Sequence, residues 1–122
     1  MIEMRDPVEG KVKRVLKTLD LAGITIHIYV ERFENAYLVL ISEDGVRLGT
    51  LVCSIRLREG LTRSTTLLGW KSEIQARMLA EKISHETGLI TLLSVNLDEE
   101  RLQKNLQGIV ETLIRCLEEV KG

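Results

Sequence analysis

The chain has 122 residues, enough for one domain with a single apolar core and without disulfide or metal staples. Its 17 basic and 18 acidic side chains leave a formal net charge of −1, so no global basic field is present to hold nucleic acid, and the 3% aromatic content argues against a base-stacking platform.

The first residues, MIEMRDPVEGKVK, carry charges where a signal peptide needs an apolar centre, and no apolar run approaches the roughly 20 residues of a membrane span. The expectation is a cytoplasmic protein with no membrane contact. Residues 1–10 hold the only proline and end in glycine, which reads as a loose lead-in to a single domain over 11–122. Lys11 to Leu21 fits two patterns: Val12, Val15, Leu16 and Leu19 sit at helical spacing, while Val15, Lys17, Leu19 and Leu21 share one strand face. The continuation favours a strand. After the two-residue gap Ala22-Gly23, Ile24, Ile26, Ile28 and Val30 alternate with Thr25, His27, Tyr29 and Glu31, as in a half-buried strand after a tight turn. His27 falls on the wetter face, where a cross-strand surface role is expected.

Asn35 to Ile55 reads NAYLVLISEDGVRLGTLVCSI, two apolar runs joined through Asp44-Gly45. Asp-Gly between β-rich runs predicts a hairpin, because glycine accepts positive φ freely and aspartate tolerates it. Tyr37, Val39 and Ile41 point one way and Ala36, Leu38 and Leu40 the other; the return run places Leu48 and Val52 against Leu51, Cys53 and Ile55. A strand apolar on both faces has to be covered on both, so this hairpin belongs in the middle of a sheet. Covering the face left by the helices needs the amino-terminal strands, a partner, or both.

Arg56 to Arg63, RLREGLTR, reads as a solvated loop or, through Arg56, Arg58 and Arg63, as a basic contact for an acidic partner surface. Ser64 to Trp70 is a further strand ended by Gly69, and Trp70 either caps the core or anchors an interface. Ser72 to Glu86 is a helix with Ser72 at the N-cap and Gly88 beyond its end. Ala76, Leu79, Ala80 and Ile83 form its core stripe, while Ile74 and Met78, at i and i+4, make a small apolar patch on the opposite face. Leu89 to Leu97 is a nearly continuous apolar strand. Asp98 then caps the longest helix, whose stripe runs through Leu102, Leu106, Ile109, Leu113, Cys116 and Val120. Cys53 and Cys116 read as small buried hydrophobes.

No catalytic constellation emerges. Gly45 and Gly49 are followed by a strand and not by a helix, the two histidines and two cysteines do not cluster, and no serine sits in a GxSxG elbow. An enzyme is not expected, and no cofactor or metal is assigned.

The succession AYLVLI, LGTLV, STTLLG, MLAEKISHETG, LITLLSVNL and NLQGIVETLIRCLE, from about Gly23 to Leu117, resembles the small proteasome-assembly chaperones of the third type and their relatives of the fourth. The resemblance implies an α+β domain with a mostly antiparallel sheet of about six strands and two helices packed on one side, forming dimers. It implies non-enzymatic help in assembling the proteasome α-subunit ring, with proteasome α subunits as partners and a second, identical or related chain in the dimer. The closing EEVKG lacks the hydrophobic-Tyr-any tail of other proteasome chaperones, so contact is expected through the folded surface, at Arg56, Arg58, Arg63, Trp70, Ile74 and Met78. A dimeric signalling scaffold of the roadblock type is the alternative, and it requires a helix over Lys11 to Leu21; a small enzyme with an unrecognised site is the other.

Overall fold

A computed structural model of the protein describes residues 13–21 and 23–121. The predicted lead-in over 1–10 and the start of the domain at residues 11 and 12 lie outside them. The first described element settles the ambiguous segment: Lys13–Leu21 is a strand, β1, and pairs antiparallel with β2, Ile24–Arg32, in a register that sets Val15 opposite Val30 and Leu19 opposite Ile26. Gly23, at φ 82°, supplies the turn residue. The helix that the roadblock reading requires is therefore not formed over Lys13–Leu21.

The remaining strands are β3, Ala36–Glu43; β4, Thr50–Arg56; β5, Thr62–Leu68; and β6, Ile90–Asn96. They form one six-stranded sheet in the order β1-β2-β3-β6-β4-β5, antiparallel except for the β3–β6 pair. The expected hairpin is corrected here, since β3 and β4 are not neighbours and β6 lies between them. The turn chemistry is present, with Asp44 at φ 56° and Gly45 at φ 107°. The chain does not fold straight back, however. It continues through loop 44–49, which has to cross two strand spacings, about 10 Å, over the end of β6. Two buried serines pin this crossing, Ser42 Oγ accepting from the Arg47 amide (3.2 Å) and Ser94 Oγ from the Gly49 amide (2.8 Å). A Cβ on Gly49 would overlap the Val95 carbonyl. Gly49→Ala is therefore expected to force the crossing off the sheet and cost on the order of 2 kcal/mol, visible as a lowered urea midpoint with an unchanged slope.

β6 takes the centre because it is apolar on both sides, Leu93 and Val95 on one and Ile90 and Leu92 on the other. The register aligns Ile28, Val30, Val39, Ile41, Leu93, Val95 and Val52 on one face, all essentially inaccessible to solvent. That face carries the helices. The first, α1, Glu73–Thr87, lies over β4, β5 and β6 through Ala76, Leu79, Ala80 and Ile83. Gly88, at φ 74°, closes it with its amide bonded to the Ser84 carbonyl. Ser72 holds the N-cap position but not the N-cap role: it is buried in a left-handed conformation, and its hydroxyl donates to the Leu97 carbonyl at 2.9 Å.

The helix expected from Asp98 onward is two helices, so the described residues contain three and not two: α2, Glu99–Lys104, and α3, Leu106–Val120. Asp98 caps α2 as predicted, accepting from the Arg101 amide at 2.8 Å. The break falls at Asn105 (ψ 12°), whose side-chain amide donates to the Arg101 carbonyl at 2.9 Å, a local bond that competes with continued helix. α3 packs on β1 and β2 through Ile109, Leu113, Cys116 and Val120. The result is an α+β domain, a mostly antiparallel sheet with every described helix on one face.

Burial holds the Cys116 thiol up at about 11, against an ordinary value of 9.0. In the unfolded chain the thiol ionises at lower pH than in the folded one. Its contribution to stability is thus full below pH 9 and is lost as pH rises from 9 towards 11. A urea midpoint that falls over that window, and falls less in Cys116→Ala corrected for its neutral-pH loss, is the expected result.

Candidate functional site

The six residues singled out as contacts surround one element, β5. Arg56 is the last residue of β4, and Arg58 lies in a single 3-10 turn, Arg58–Gly60. Arg63 is the second residue of β5, so the segment 56–63 is not one loop: its irregular part is 57–61, closed by the Leu57 amide on the Leu61 carbonyl at 2.6 Å. This turn is tied to α1. Arg56 donates through Nη1 to the His85 carbonyl (3.3 Å), and His85 Nδ1 lies 3.2 Å from the Gly60 carbonyl oxygen. Among the described residues none of the three arginines has a carboxylate partner.

Trp70 stands just beyond the other end of β5, 75% exposed, so the reading of it as a core cap is corrected. Ile74 and Met78 are 71% and 66% exposed on the flank of α1. The same side of α1 reaches β5 through Arg77, whose Nε donates to Ser64 Oγ at 3.0 Å, and through Glu81, which accepts from the same hydroxyl. The arginines and Trp70 are separated by the length of a seven-residue strand, about 23 Å, too far to act on one small molecule but within the span of a protein contact.

A second surface was visible in the sequence only as an unpaid requirement for cover. Opposite the helices, Leu38, Leu40, Leu51, Cys53 and Leu92 line the middle of the sheet, half-buried, with Ile55 and Ile90 more exposed at one end. The amino-terminal strands do not cover it, because β1 and β2 extend the sheet sideways. A shift in the β4–β5 register at Leu51 and Val52 leaves Leu67 unpaired and sets Leu68 opposite Leu51, adding two exposed leucines to the same side. Contiguous apolar surface of this kind on a sheet marks a docking surface more often than chance exposure does. On the β2 flank the apolar surface gives way to polar pairs: Thr18 Oγ1 beside His27 Nδ1 at 3.2 Å, and the Tyr29 hydroxyl donating to Glu31, a bond that raises the tyrosine pKa.

A crevice of about 420 Å³ lies beyond the ends of the parallel β3 and β6, with Glu43, Asp44, Arg47, Lys71 and Asp98 in its wall. Of its acids, Glu43 accepts from Arg101, which raises the arginine pKa, and Asp98 caps α2. Among the described residues no three His, Cys, Asp or Glu side chains come together as a metal site, and no described helix is long and apolar enough to cross a membrane.

No family model matches this sequence, and no curated protein matches it. Solved structures do. A chain of the crystallographically determined chaperone complex for yeast 20S proteasome assembly superposes with a TM-score of 0.73, covering 92% of this chain and 99% of that one at 16% sequence identity. With both chains spanned almost entirely, this protein has the fold of that yeast proteasome-assembly chaperone chain.

Proposed function

We propose that the protein is a non-enzymatic, cytoplasmic chaperone that binds proteasome α subunits and assists assembly of their ring, working as a dimer of identical or related chains. The observation that carries the reading is the near-complete overlap in fold with a proteasome-assembly chaperone chain, joined to a surface built for proteins and not for a small substrate. The uncovered sheet face meets a second copy, since a two-fold dimer buries the same apolar patch on both chains and most homo-oligomers close this way. The helical side and the rim of β5 stay outward, where Arg56, Arg58, Arg63, Trp70, Ile74 and Met78 contact the α subunit.

Two experiments test the outward surface. Ile74→Asp with Met78→Asp is expected to change stability by less than about 0.5 kcal/mol, because exposed positions tolerate substitution, while binding to isolated α subunits weakens at least tenfold. Unfolding of that variant, or unchanged affinity, contradicts the assignment. Raising salt from low to physiological concentration is expected to slow association without a matching change in dissociation, because rim arginines act on encounter and are screened beyond about 10 Å at 0.1 M.

A further inference from the structure

We propose that the free edge of β5 binds an extended polypeptide segment as a seventh, antiparallel strand, with apolar side chains of that segment against Ile74 and Met78 and acidic ones beside Arg58 and Arg63. The inference rests on the reading that this protein acts by binding proteins, and not on which protein it binds.

The two edges of the sheet differ. β1 carries Lys13, Arg14, Lys17 and Asp20, with Lys17 paired to Glu119 of α3 at 3.1 Å, the charges that blunt an edge against pairing. β5, TRSTTLL, has one charge and no proline, and among the described residues it pairs only with β4, so alternate amides and carbonyls on its outer side have no partner within the described sheet. Where an edge carries a single charge and one side-chain contact, main-chain hydrogen bonds to an added strand are the cheapest way to satisfy it.

The setting of β5 also gives such a strand side-chain specificity. On the helix side, the Thr62 and Thr66 hydroxyls are buried without a hydrogen-bond partner among the described residues. Above them stands the flank of α1 that holds Arg77 and Glu81 on Ser64. Ile74, Arg77, Met78 and Glu81 fall at i, i+3, i+4 and i+7 along the helix, so the exposed Ile74 and Met78 continue that flank. Alternate residues of an added strand point to this ledge. Arg77 already donates through Nη2 to the Ser64 carbonyl at 3.1 Å, and the bound segment takes over that acceptor.

Charge fixes the orientation. Arg56, Arg58 and Arg63 gather where β5 begins, with no carboxylate pairing any of them among the described residues, whereas Leu67, Leu68 and Trp70 gather where it ends. An antiparallel segment, the sense in which β4 already pairs with β5, therefore has apolar residues first and acidic residues last.

The test uses the full chain and an acetylated peptide in which valine alternates with threonine and the last two residues are Asp and Glu, followed by amide NMR. The expected result is shift changes confined to β5 and the Ile74 to Met78 flank, with new exchange protection at alternate β5 amides. A peptide N-methylated at every second residue, on the side facing β5, is expected to bind at least tenfold more weakly, and the Arg63→Glu chain to prefer a peptide ending in two lysines. Shifts at the Leu38 and Leu92 face or at β1, indifference to N-methylation, or no binding at millimolar peptide would overturn the proposal. Any of these leaves α-subunit binding by the whole protein intact, so the two readings fail separately.

Discussion

A chain carrying Leu38→Lys and Leu92→Glu is expected to run as a folded monomer at concentrations where the unaltered protein is expected to form the proposed dimer. The two positions are neighbours in the parallel β3–β6 register, on the face without helices. As an opposite-charge cross-strand pair they cost the isolated sheet little, because facing charges of opposite sign contribute favourably by a few tenths of a kcal/mol. In a two-fold dimer the same pair is pressed against apolar residues of the second copy, and desolvating charges without matched partners costs several kcal/mol. The dissociation constant is expected to rise at least a hundredfold, about 2.7 kcal/mol. Sedimentation combined with a thermal melt checks both halves: a monomer that melts within a few degrees of the parent fits, and a persistent dimer places the contact elsewhere.

The largest expected loss of stability is at Leu93. It is wholly buried at the centre of the middle strand, opposite Val39 on one side and Val52 on the other, beneath the line where the cover passes from α1 to α3. Leu93→Ala removes three carbon atoms from a site held on both sides by strand backbone, which limits collapse into the void, so about 3–5 kcal/mol is expected from the upper part of the range for such truncations. In a domain of this size that is a large share of the total stability. Leu92→Ala, one residue away but on the uncovered face, is expected to cost the monomer under about 1.5 kcal/mol and to weaken the dimer. Urea titration at a concentration where both chains are monomeric distinguishes the two neighbours; equal losses would contradict the one-sided core.

The sequence made the strands legible and left their order obscure, for a physical reason. Period-two patterning reports which residues share a face, so Tyr37, Val39 and Ile41 and the run from Ile24 to Val30 were placed correctly. Patterning is silent on which strand lies beside which. Asp44-Gly45 carries hairpin chemistry, and nothing local reveals that β6, some fifty residues later in the chain, inserts between the two runs. The serines that pin the crossing, Ser42 and Ser94, look like ordinary polar interruptions until the loop is seen to bond to them. The break at Asn105 was hidden likewise, since the apolar stripe from Leu102 to Leu106 keeps helical spacing across it. Of the candidate surfaces, Ile74 and Met78 were readable because a helix face follows from spacing alone. The exposure of Trp70 was not, because it depends on how Gly69, at φ 78°, turns the chain out of β5. The uncovered face could be inferred as a need for cover, but its residues became definite only when β1 and β2 proved to lie beside the central strands.

The central claim is that this protein binds proteasome α subunits and speeds their assembly. Its most direct test mixes the purified protein with isolated α subunits and follows complex formation and the rate of ring appearance across a tenfold range of added protein. The account predicts a stable complex with at least one α subunit and a ring-assembly rate that rises with the amount added, both lost in the Ile74→Asp, Met78→Asp chain. Absence of binding to every α subunit, with ring assembly unchanged over the whole range, would contradict it.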